Sequence, residues 1–393
     1  MSYDQIHSFS AQLGGQTVRF VSKPGLAHWD DVSPASRLLA DTVRPAADAR
    51  VLLLGCGHGA LGAALARQAR AGATVLMDSS VVAAAMARRT LDANAAANAR
   101  VCEEASLPGE LEGWFDVAAI ELPSDRKLAR RWLLEAYRAL RPGGDLFVAG
   151  ASDQGARSAI ADAAALCGGA GLLAYKQGSR VAQARKSTDA APGVDWASEP
   201  GVAPGTWYEF EARARGLALR IHSLAGVFAY DRVDEGTRLL LEALELPPGA
   251  RVLDIGCGYG MIGLLAARLG ASQVDLVDAN LLAVASAAEN IKINGVAGAR
   301  ACAGDGVPAG AAERYDVVAT NPPFHLGKAV DYEVARAFIE GARQALKPGG
   351  RFYLVANQFI RYDQLLRVSF ARVTCVAETR SYRVWRSDNL QVV

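Results

Sequence analysis

The two halves of the chain repeat each other, and this duplication constrains the fold more than any other feature. Residues 25–32 read GLAHWDDV and residues 226–233 read GVFAYDRV, while VLLLGCGHG at 51–59 matches VLDIGCGYG at 252–260. In each half, apolar strand candidates alternate with helical stretches rich in alanine and arginine, a pattern typical of a doubly wound, mostly parallel sheet. The sequence therefore predicts two tandem α/β domains.

Length and composition agree with two hydrophobic cores. The chain has 393 residues, of which 51% are hydrophobic, and this length exceeds the usual limit of a single core. Residues 186–205 are rich in proline, glycine, alanine and serine, which indicates a linker. We therefore predict a first domain at 1–185, a linker at 186–205 and a second domain at 206–393.

A glycine-rich turn follows a predicted strand in the second half. Gly256, Gly258 and Gly260 allow the turn and let a ligand approach the backbone at a helix N-terminus. The segment also fits G-x-G-x-x-G, so the glycines alone leave a dinucleotide-binding turn open. Asp254 favours methyl transfer, because an acid inside the strand can meet the cationic amino group of S-adenosylmethionine.

Two further acids follow apolar segments of the second half. Val274 to Asp278 reads as a strand that ends in an acid, where a carboxylate would hold a ribose diol. Asp305, between Gly304 and Gly306, is placed to accept from an adenine amine, and a solvated turn acid is the alternative for this residue. Asp278 is the ribose candidate and Asp305 the adenine candidate.

The tetrapeptide Asn321-Pro322-Pro323-Phe324 closes a predicted strand at 315–320 and suggests amine methylation. The lone pair of an exocyclic purine amine is delocalised, so a catalyst must hold the nitrogen with acceptors such as Asn321 Oδ1 and the Pro322 carbonyl. The two prolines fix the backbone, and Phe324 offers a ring for stacking a base. An ordinary proline turn is the alternative.

Together these segments resemble the class I S-adenosylmethionine-dependent methyltransferases, in particular the bacterial ribosomal RNA guanine-N2 methyltransferases of the small or large subunit. The resemblance covers Leu217 to about Trp385. It implies two Rossmann-like domains, methyl transfer from S-adenosylmethionine to a guanine N2 amine in ribosomal RNA, and S-adenosylhomocysteine as product. It also implies cofactor contacts by Asp254, Gly256, Cys257, Gly258, Gly260, Asp278, Ala279, Asp305, Gly306 and Asn321, and a catalytic loop formed by Asn321, Pro322, Pro323 and Phe324.

The first half differs from the second where chemistry would occur. Leu53 stands at the position of Asp254, and residues 121–124 read ELPS in place of NPPF. The first half keeps glycines at 55, 57 and 59, which also serve tight strand-to-helix packing. We therefore expect a degenerate first domain that stabilises the catalytic domain or orients RNA.

The partner is expected to be ribosomal RNA or a ribosomal subunit, bound by local rather than global charge. The net charge is only +1, whereas six arginines and two acids lie between residues 361 and 386. His325, Lys328, Arg361 and Tyr362 are candidate RNA contacts, and a loop-ordering hydrogen bond is the alternative for His325. Solvated arginines of an ordinary strand pair are the alternative for this cluster.

Other function classes are less compatible with these patterns. A protein glutamine-N5 or adenine-N6 methyltransferase could use the same loop, and a non-catalytic RNA-binding assembly factor could keep the fold. The six cysteines have no CxxC spacing, so no metal site is predicted. Without an apolar signal or a long apolar run, the sequence predicts a cytoplasmic protein, away from membranes, that acts as a monomer.

Overall fold

The computed structural model describes residues 3–187, 193–323, 325–326, 329–330 and 332–389, with the backbone alone for 325–326 and 329–330. The chain divides into two units, Met1–Thr206 and Trp207–Val393. The segment expected to be a linker falls within the first unit. There Asp195–Ser198 forms a short 3-10 turn and Val202 is fully buried.

The first unit is a seven-stranded sheet flanked by helices and preceded by a hairpin. Its strand order is β5-β4-β3-β6-β7-β9-β8, and β9 is antiparallel to both of its neighbours. The elements are β1 (His7–Leu13), β2 (Gln16–Ser22), α1 (Pro34–Thr42), β3 (Arg50–Leu54), α2 (Ala60–Gln68), β4 (Ala73–Met77), α3 (Val81–Ala93), β5 (Ala99–Cys102), β6 (Phe115–Glu121), α4 (Arg126–Ala139), β7 (Leu140–Ala151), α5 (Ala156–Cys167), β8 (Ala170–Lys176) and β9 (Ser179–Arg185).

The second unit repeats this architecture. Its sheet has the equivalent order β14-β13-β12-β15-β18-β20-β19, and a separate hairpin, β16-β17, lies in the loop after β15. The elements are β10 (Tyr208–Ala214), β11 (Leu217–Ser223), α6 (Glu235–Ala243), β12 (Arg251–Ile255), α7 (Met261–Arg268), β13 (Gln273–Asp278), α8 (Leu281–Ile293), β14 (Ala299–Ala303), β15 (Tyr315–Thr320), β16 (His325–Leu326), β17 (Ala329–Val330), α9 (Tyr332–Ala345), β18 (Leu346–Asn357), α10 (Tyr362–Ser369), β19 (Arg372–Glu378) and β20 (Tyr382–Asp388).

The central strands form the core of each sheet. Val252, Leu253 and Ile255 of β12 are fully buried, as are Val51 to Leu53 of β3. Burial of successive residues, whose side chains alternate between the two faces, is typical of parallel strands that are covered on both faces. The predicted α/β class with two doubly wound sheets is confirmed.

The topology brings the ends of several parallel strands together. In the second unit, β12 pairs with β13 on one side and with β15 on the other, so the strand order reverses at β12. Ligands of open α/β sheets bind outside the carboxyl ends of the strands at such a reversal. Within the described part of the chain, no helix has the length and apolar character to cross a membrane.

Candidate active site

The glycine turn after β12 combines a packing glycine with an open one. Gly256, Gly258 and Gly260 have φ angles of 68°, 57° and 94°, which side-chain-bearing residues rarely adopt. A methyl group on Gly260 would lie 2.9 Å from Leu276 Cδ2, whereas one on Gly258 would meet nothing within 4 Å. Gly260 therefore serves the packing of α7, which it caps, and Gly258 leaves room for a ligand.

Asp278 at the end of β13 is held by the backbone of this turn. Its Oδ2 accepts from the Gly258 N–H at 2.8 Å, and its Oδ1 accepts from the Asn280 N–H at 2.8 Å. Burial raises the pKa of the Asp278 carboxyl. Ala279 follows directly. The Asn280 side chain donates to Gly226 O at 2.8 Å, which holds the loop between β11 and α6 beside the end of β13.

Asp254 lies in the interior of β12 and is only partly satisfied. Its Oδ2 accepts from the Gly263 N–H at 2.9 Å, while Oδ1 has no hydrogen-bond partner among the described residues. Burial, followed by the neighbouring charge of Asp278, raises the pKa of Asp254 to about 7. A buried carboxylate oxygen without a protein donor fits a site for a cationic or hydrogen-bond-donating group.

The loop after β14 reaches the same region. The Gly304 N–H donates to Asp278 O at 3.0 Å, and Asp305 is exposed. Methyl groups on Gly256 and Gly306 would each lie 3.5 Å from the ring of Phe338. The two glycines therefore flank one aromatic ring, and the predicted ribose and adenine acids lie on loops that meet there.

Asn321 follows β15 and lies beside the glycine turn. The Thr320 hydroxyl donates to Ile255 O at 2.7 Å, which ties the ends of β15 and β12 together. Asn321 Nδ2 donates to Thr237 Oγ1 at 2.9 Å and to Asp234 Oδ2 at 3.2 Å. Within the described residues, Asn321 Oδ1 receives no hydrogen bond.

The rest of the predicted loop is only partly described. Pro322 is buried and Pro323 is exposed. Phe324 and Lys328 lie outside the described residues, and for His325 the structure gives only the backbone, which pairs with Val330.

Asp234, Thr237 and Tyr382 are site residues that the sequence reasoning missed. Asp234 caps α6, with Oδ2 accepting from the Thr237 N–H at 3.0 Å, and the Tyr382 hydroxyl donates to Asp234 Oδ1 at 3.5 Å. A signal was present, since Asp-x-x-Thr before an apolar helical stretch predicts a helix cap. The contact between this cap and Asn321, 87 positions away, has no local signature.

The candidate RNA residues of the carboxyl edge differ in exposure. Arg361 precedes α10 with 64% of its side chain exposed, and it forms an ion pair with Asp363 at 3.5 Å. Tyr362 is fully buried with its ring edge-on to Tyr332, so it presents no ring face to a nucleotide. Phe359, two positions before Arg361, is 64% exposed and does present one.

The arginine cluster predicted near the C-terminus is largely paired with acids. Ion pairs join Arg372 to Asp388 at 3.9 Å, Arg383 to Glu378 at 3.2 Å and Arg386 to Glu245 at 3.4 Å. Exposed pairs of this kind contribute little stability, but they reduce the positive charge that is free for phosphate.

The equivalent turn of the first unit is filled beside its first glycine. Leu53 is fully buried at the position of Asp254. A methyl group on Gly55 would lie 2.8 Å from the Trp132 ring and 2.5 Å from Glu121 O, whereas one on Gly256 would lie 3.5 Å from the Phe338 ring. Asp78 keeps its backbone contacts with Gly57 and Ser80, each at 3.0 Å. A methyl group on Gly57 would meet nothing within 4 Å, as on Gly258, so the two turns differ in the space beside the first glycine and not beside the second.

The described residues contain no group of His, Cys, Asp and Glu that could hold a metal ion. The cysteines at 56, 102, 167, 257, 302 and 375 are free. Burial raises the pKa of the Cys257 thiol, which keeps this residue of the glycine turn a neutral thiol.

Comparison with known proteins identifies the family. The family described as methyltransferase small domain matches residues 17–171 and 218–386. The ribosomal RNA small subunit methyltransferase C of Chromohalobacter salexigens is 38% identical over 288 residues, which cover 72% of this chain and 79% of that protein. The protein of the same name from Pseudomonas entomophila is 34% identical over 274 residues, 70% of this chain and 79% of the relative.

A solved structure extends this similarity to nearly the whole chain. It is the T. thermophilus 16S rRNA N2 G1207 methyltransferase in complex with AdoMet and guanosine, with 33% identity, a TM-score of 0.82 and coverage of 98% of both chains. The resemblance stated from the sequence is thus confirmed, and the chain belongs to the methyltransferase small domain family, together with the ribosomal RNA small subunit methyltransferase C proteins.

Proposed function

We propose that the protein transfers a methyl group from S-adenosylmethionine to the exocyclic N2 amine of a guanine in small-subunit ribosomal RNA. The match over 98% of the chain to a 16S rRNA N2 guanine methyltransferase, solved with AdoMet and guanosine, supports the substrate and the cofactor. The relatives named ribosomal RNA small subunit methyltransferase C support the same reaction.

The observation that carries the proposal is the orientation of Asn321. Its NH2 group is engaged by Thr237 and Asp234, which leaves Oδ1 as the end that would accept from a substrate. An acceptor at this position takes a hydrogen from the guanine amine and draws electron density back onto the nitrogen. The Pro322 carbonyl would be the second acceptor, and the two acceptors together would orient the lone pair of the guanine N2 nitrogen toward the methyl group.

The cofactor fits the residues present. S-adenosylmethionine supplies an electrophilic methyl group on a sulfonium. Asp278 would hold the ribose diol, Gly258 leaves the backbone open to the ligand, and the unpartnered oxygen of Asp254 would face the amino group. Asp305 and Gly306 would lie along the adenine.

The chain contributes mainly position and electrostatics. Asn321 would position the target nitrogen, and the carboxylates of Asp254 and Asp278 would hold the methyl donor. The amine loses its proton readily once it is alkylated, so the reaction needs no strong base.

The exposed aromatics of the second unit fit an unpaired nucleotide as substrate. Phe228 and Phe359 are 60% and 64% exposed on loops at the carboxyl edge of the sheet. Stacking on such rings stabilises bases without sequence preference. A guanine amine in a duplex is occupied, so we infer that the target base is single-stranded or extruded.

The remaining assignments concern the two domains and the setting. We propose that the first unit orients RNA or stabilises the second, with the segment before residue 206 as the connection. We propose further that the protein acts on ribosomal RNA in the cytoplasm as a monomer.

The decisive experiment is methylation of ribosomal RNA from a strain that lacks this protein. The purified chain and methyl-labelled S-adenosylmethionine should place label in N2-methylguanosine of the small-subunit RNA, detected by mass spectrometry of nucleosides. Naked RNA and assembled subunits should be compared in parallel. Label in N6-methyladenosine or in protein glutamine would reject the proposal in favour of the other methyltransferase classes.

A further inference from the structure

We infer that Asp234 and Thr237 are positioning residues that determine which end of the Asn321 amide faces the target amine. The inference rests on the proposed function and concerns residues of α6 and its cap rather than the catalytic loop itself. Its structural basis is the pair of hydrogen bonds from Asn321 Nδ2 to Thr237 Oγ1 and Asp234 Oδ2, at 2.9 and 3.2 Å.

The chemistry of the two partners makes the orientation unambiguous. A hydroxyl such as that of Thr237 both donates and accepts, so it tolerates either end of an amide. An ionised carboxylate only accepts, so Asp234 requires the NH2 end of Asn321. In the reversed orientation, Oδ1 would lie against the lone pairs of Asp234, and the NH2 group would face an amine that also carries hydrogens.

Asp234 is itself held in place from two sides. Its Oδ2 caps α6 through the Thr237 N–H at 3.0 Å, and Oδ1 accepts from the Tyr382 hydroxyl at 3.5 Å. A methyl group on Gly236 would lie 2.7 Å from Tyr382 Cδ1, so the absence of a side chain at 236 allows this close approach. The carboxylate that orients Asn321 is thus fixed by backbone and side-chain contacts.

The first unit shows the same arrangement with reversed polarity. Ser33 caps α1 by accepting from the Ser36 N–H at 2.9 Å, and the hydroxyls of Ser33 and Ser36 donate to Glu121, which stands at the position of Asn321. In the first unit, hydroxyl donors of the helix cap therefore meet the Glu121 carboxylate, which accepts. In the second unit, the acceptors Asp234 and Thr237 meet the NH2 group of Asn321, which donates. In each unit the side chains of the helix cap are therefore complementary to the group at the strand end. Only the second unit has a carboxylate in the cap, which requires the NH2 end of an amide.

The test uses the full-length chain with Asp234→Ser, Thr237→Val and Thr237→Ser. Ser33 caps the equivalent helix of the first unit, so Asp234→Ser keeps the cap while it replaces a carboxylate that only accepts with a hydroxyl that tolerates either end of the Asn321 amide. Thr237→Val keeps the backbone N–H and the side-chain shape but removes the acceptor. Asp125→Ser is the matched control, because Asp125 caps α4 through the Leu128 N–H at 2.8 Å in the first unit.

Turnover with ribosomal RNA and the affinity for S-adenosylmethionine are measured for each variant. We expect Asp234→Ser to lower kcat by about tenfold, because the Asn321 amide is no longer held with its NH2 end toward residue 234. Thr237→Val should also lower kcat, while Thr237→Ser and Asp125→Ser should retain it. The cofactor Kd should stay within about twofold in all of them, because the side-chain hydrogen bonds of Asp234 and Thr237 in the described part of the chain join them to each other, to Asn321 and to Tyr382.

A double-mutant cycle distinguishes positioning from a merely structural role. If Asp234 acts through Asn321, adding Asp234→Ser to Asn321→Ala should cause no further loss of kcat. Multiplying losses, or wild-type turnover in both Asp234→Ser and Thr237→Val, would overturn the inference. Absence of RNA methylation by the wild-type chain would instead reject the proposed function, and the inference with it.

Discussion

Asp254 allows a quantitative test of how the site treats a buried charge. Its carboxyl is fully buried, has one hydrogen bond and has a pKa raised to about 7 from an ordinary value of 3.8. Between these two values, the folded state without cofactor binds a proton that the unfolded state has lost. The free energy of unfolding must therefore fall as pH rises through this window.

The magnitude follows from the width of the window. Between pH 5 and the folded pKa near 7 lie about two units, each worth about 1.4 kcal/mol. Wild-type protein should therefore lose about 3 kcal/mol of stability at pH 8 relative to pH 5 through this group alone. Asp254→Asn, a neutral side chain of the same shape that can still accept from Gly263, should not show this loss.

Urea denaturation of the two proteins at pH 5 and pH 8, followed in the transition of the second unit, measures the difference. A ¹³C NMR titration of aspartate carboxyls, with the Asp254 signal assigned from its absence in the variant, gives the pKa directly. Asp48→Asn, at an exposed position of the first unit, is the control.

S-adenosylmethionine should stabilise the wild type increasingly as pH rises, because its amino group favours the ionised carboxylate, and this increase should be absent in Asp254→Asn. A wild-type to variant difference that does not change with pH would refute the reasoning.

Three further outcomes are expected. Calorimetric titration should give close to one S-adenosylmethionine per chain, with Asp278→Ala weakening it by about 1.5–3 kcal/mol for a lost charge-assisted contact; two sites per chain would show that the first unit also binds. Asn321→Ala should lower turnover by at least about 100-fold while the cofactor Kd is retained, and near-normal turnover would remove Asn321 from the mechanism. A fragment from residue 207 to residue 393 should fold and bind cofactor, yet bind RNA about tenfold more weakly, which corresponds to about 1.4 kcal/mol; equal RNA affinity of a folded fragment would leave the first unit without an RNA-orienting role.

The fold was accessible from the sequence because its signals are local. Apolar runs such as residues 51–54, glycine turns and their repetition in both halves define strands, loops and topology without knowledge of distant contacts. The same holds for Asp278, because a carboxylate at the end of a parallel strand has a predictable place in the sheet.

The details of the site were less accessible, because they depend on pairs of residues far apart in the chain. Nothing near Asn321 indicates that Asp234 and Thr237 hold its amide. Tyr362 reads as a polar aromatic available for stacking, yet its position at the start of α10 turns the ring into the interior. The arginines near the C-terminus form a cluster in sequence, but their acidic partners, such as Glu245, come from elsewhere.

The reversed polarity of the two helix caps bears on how the two copies diverged. A single change, Glu121→Asn, would place an amide between two serine hydroxyls that accept either of its ends, and Trp132 and Leu53 would still occupy the cofactor side. The first copy differs from the second at residues 33, 53, 121 and 132, and also at 122 and 124, where Leu and Ser stand in place of Pro and Phe. No single substitution would therefore give the first copy the residue set of the second, and a protein with one such change would not gain a second site that competes for the methyl donor.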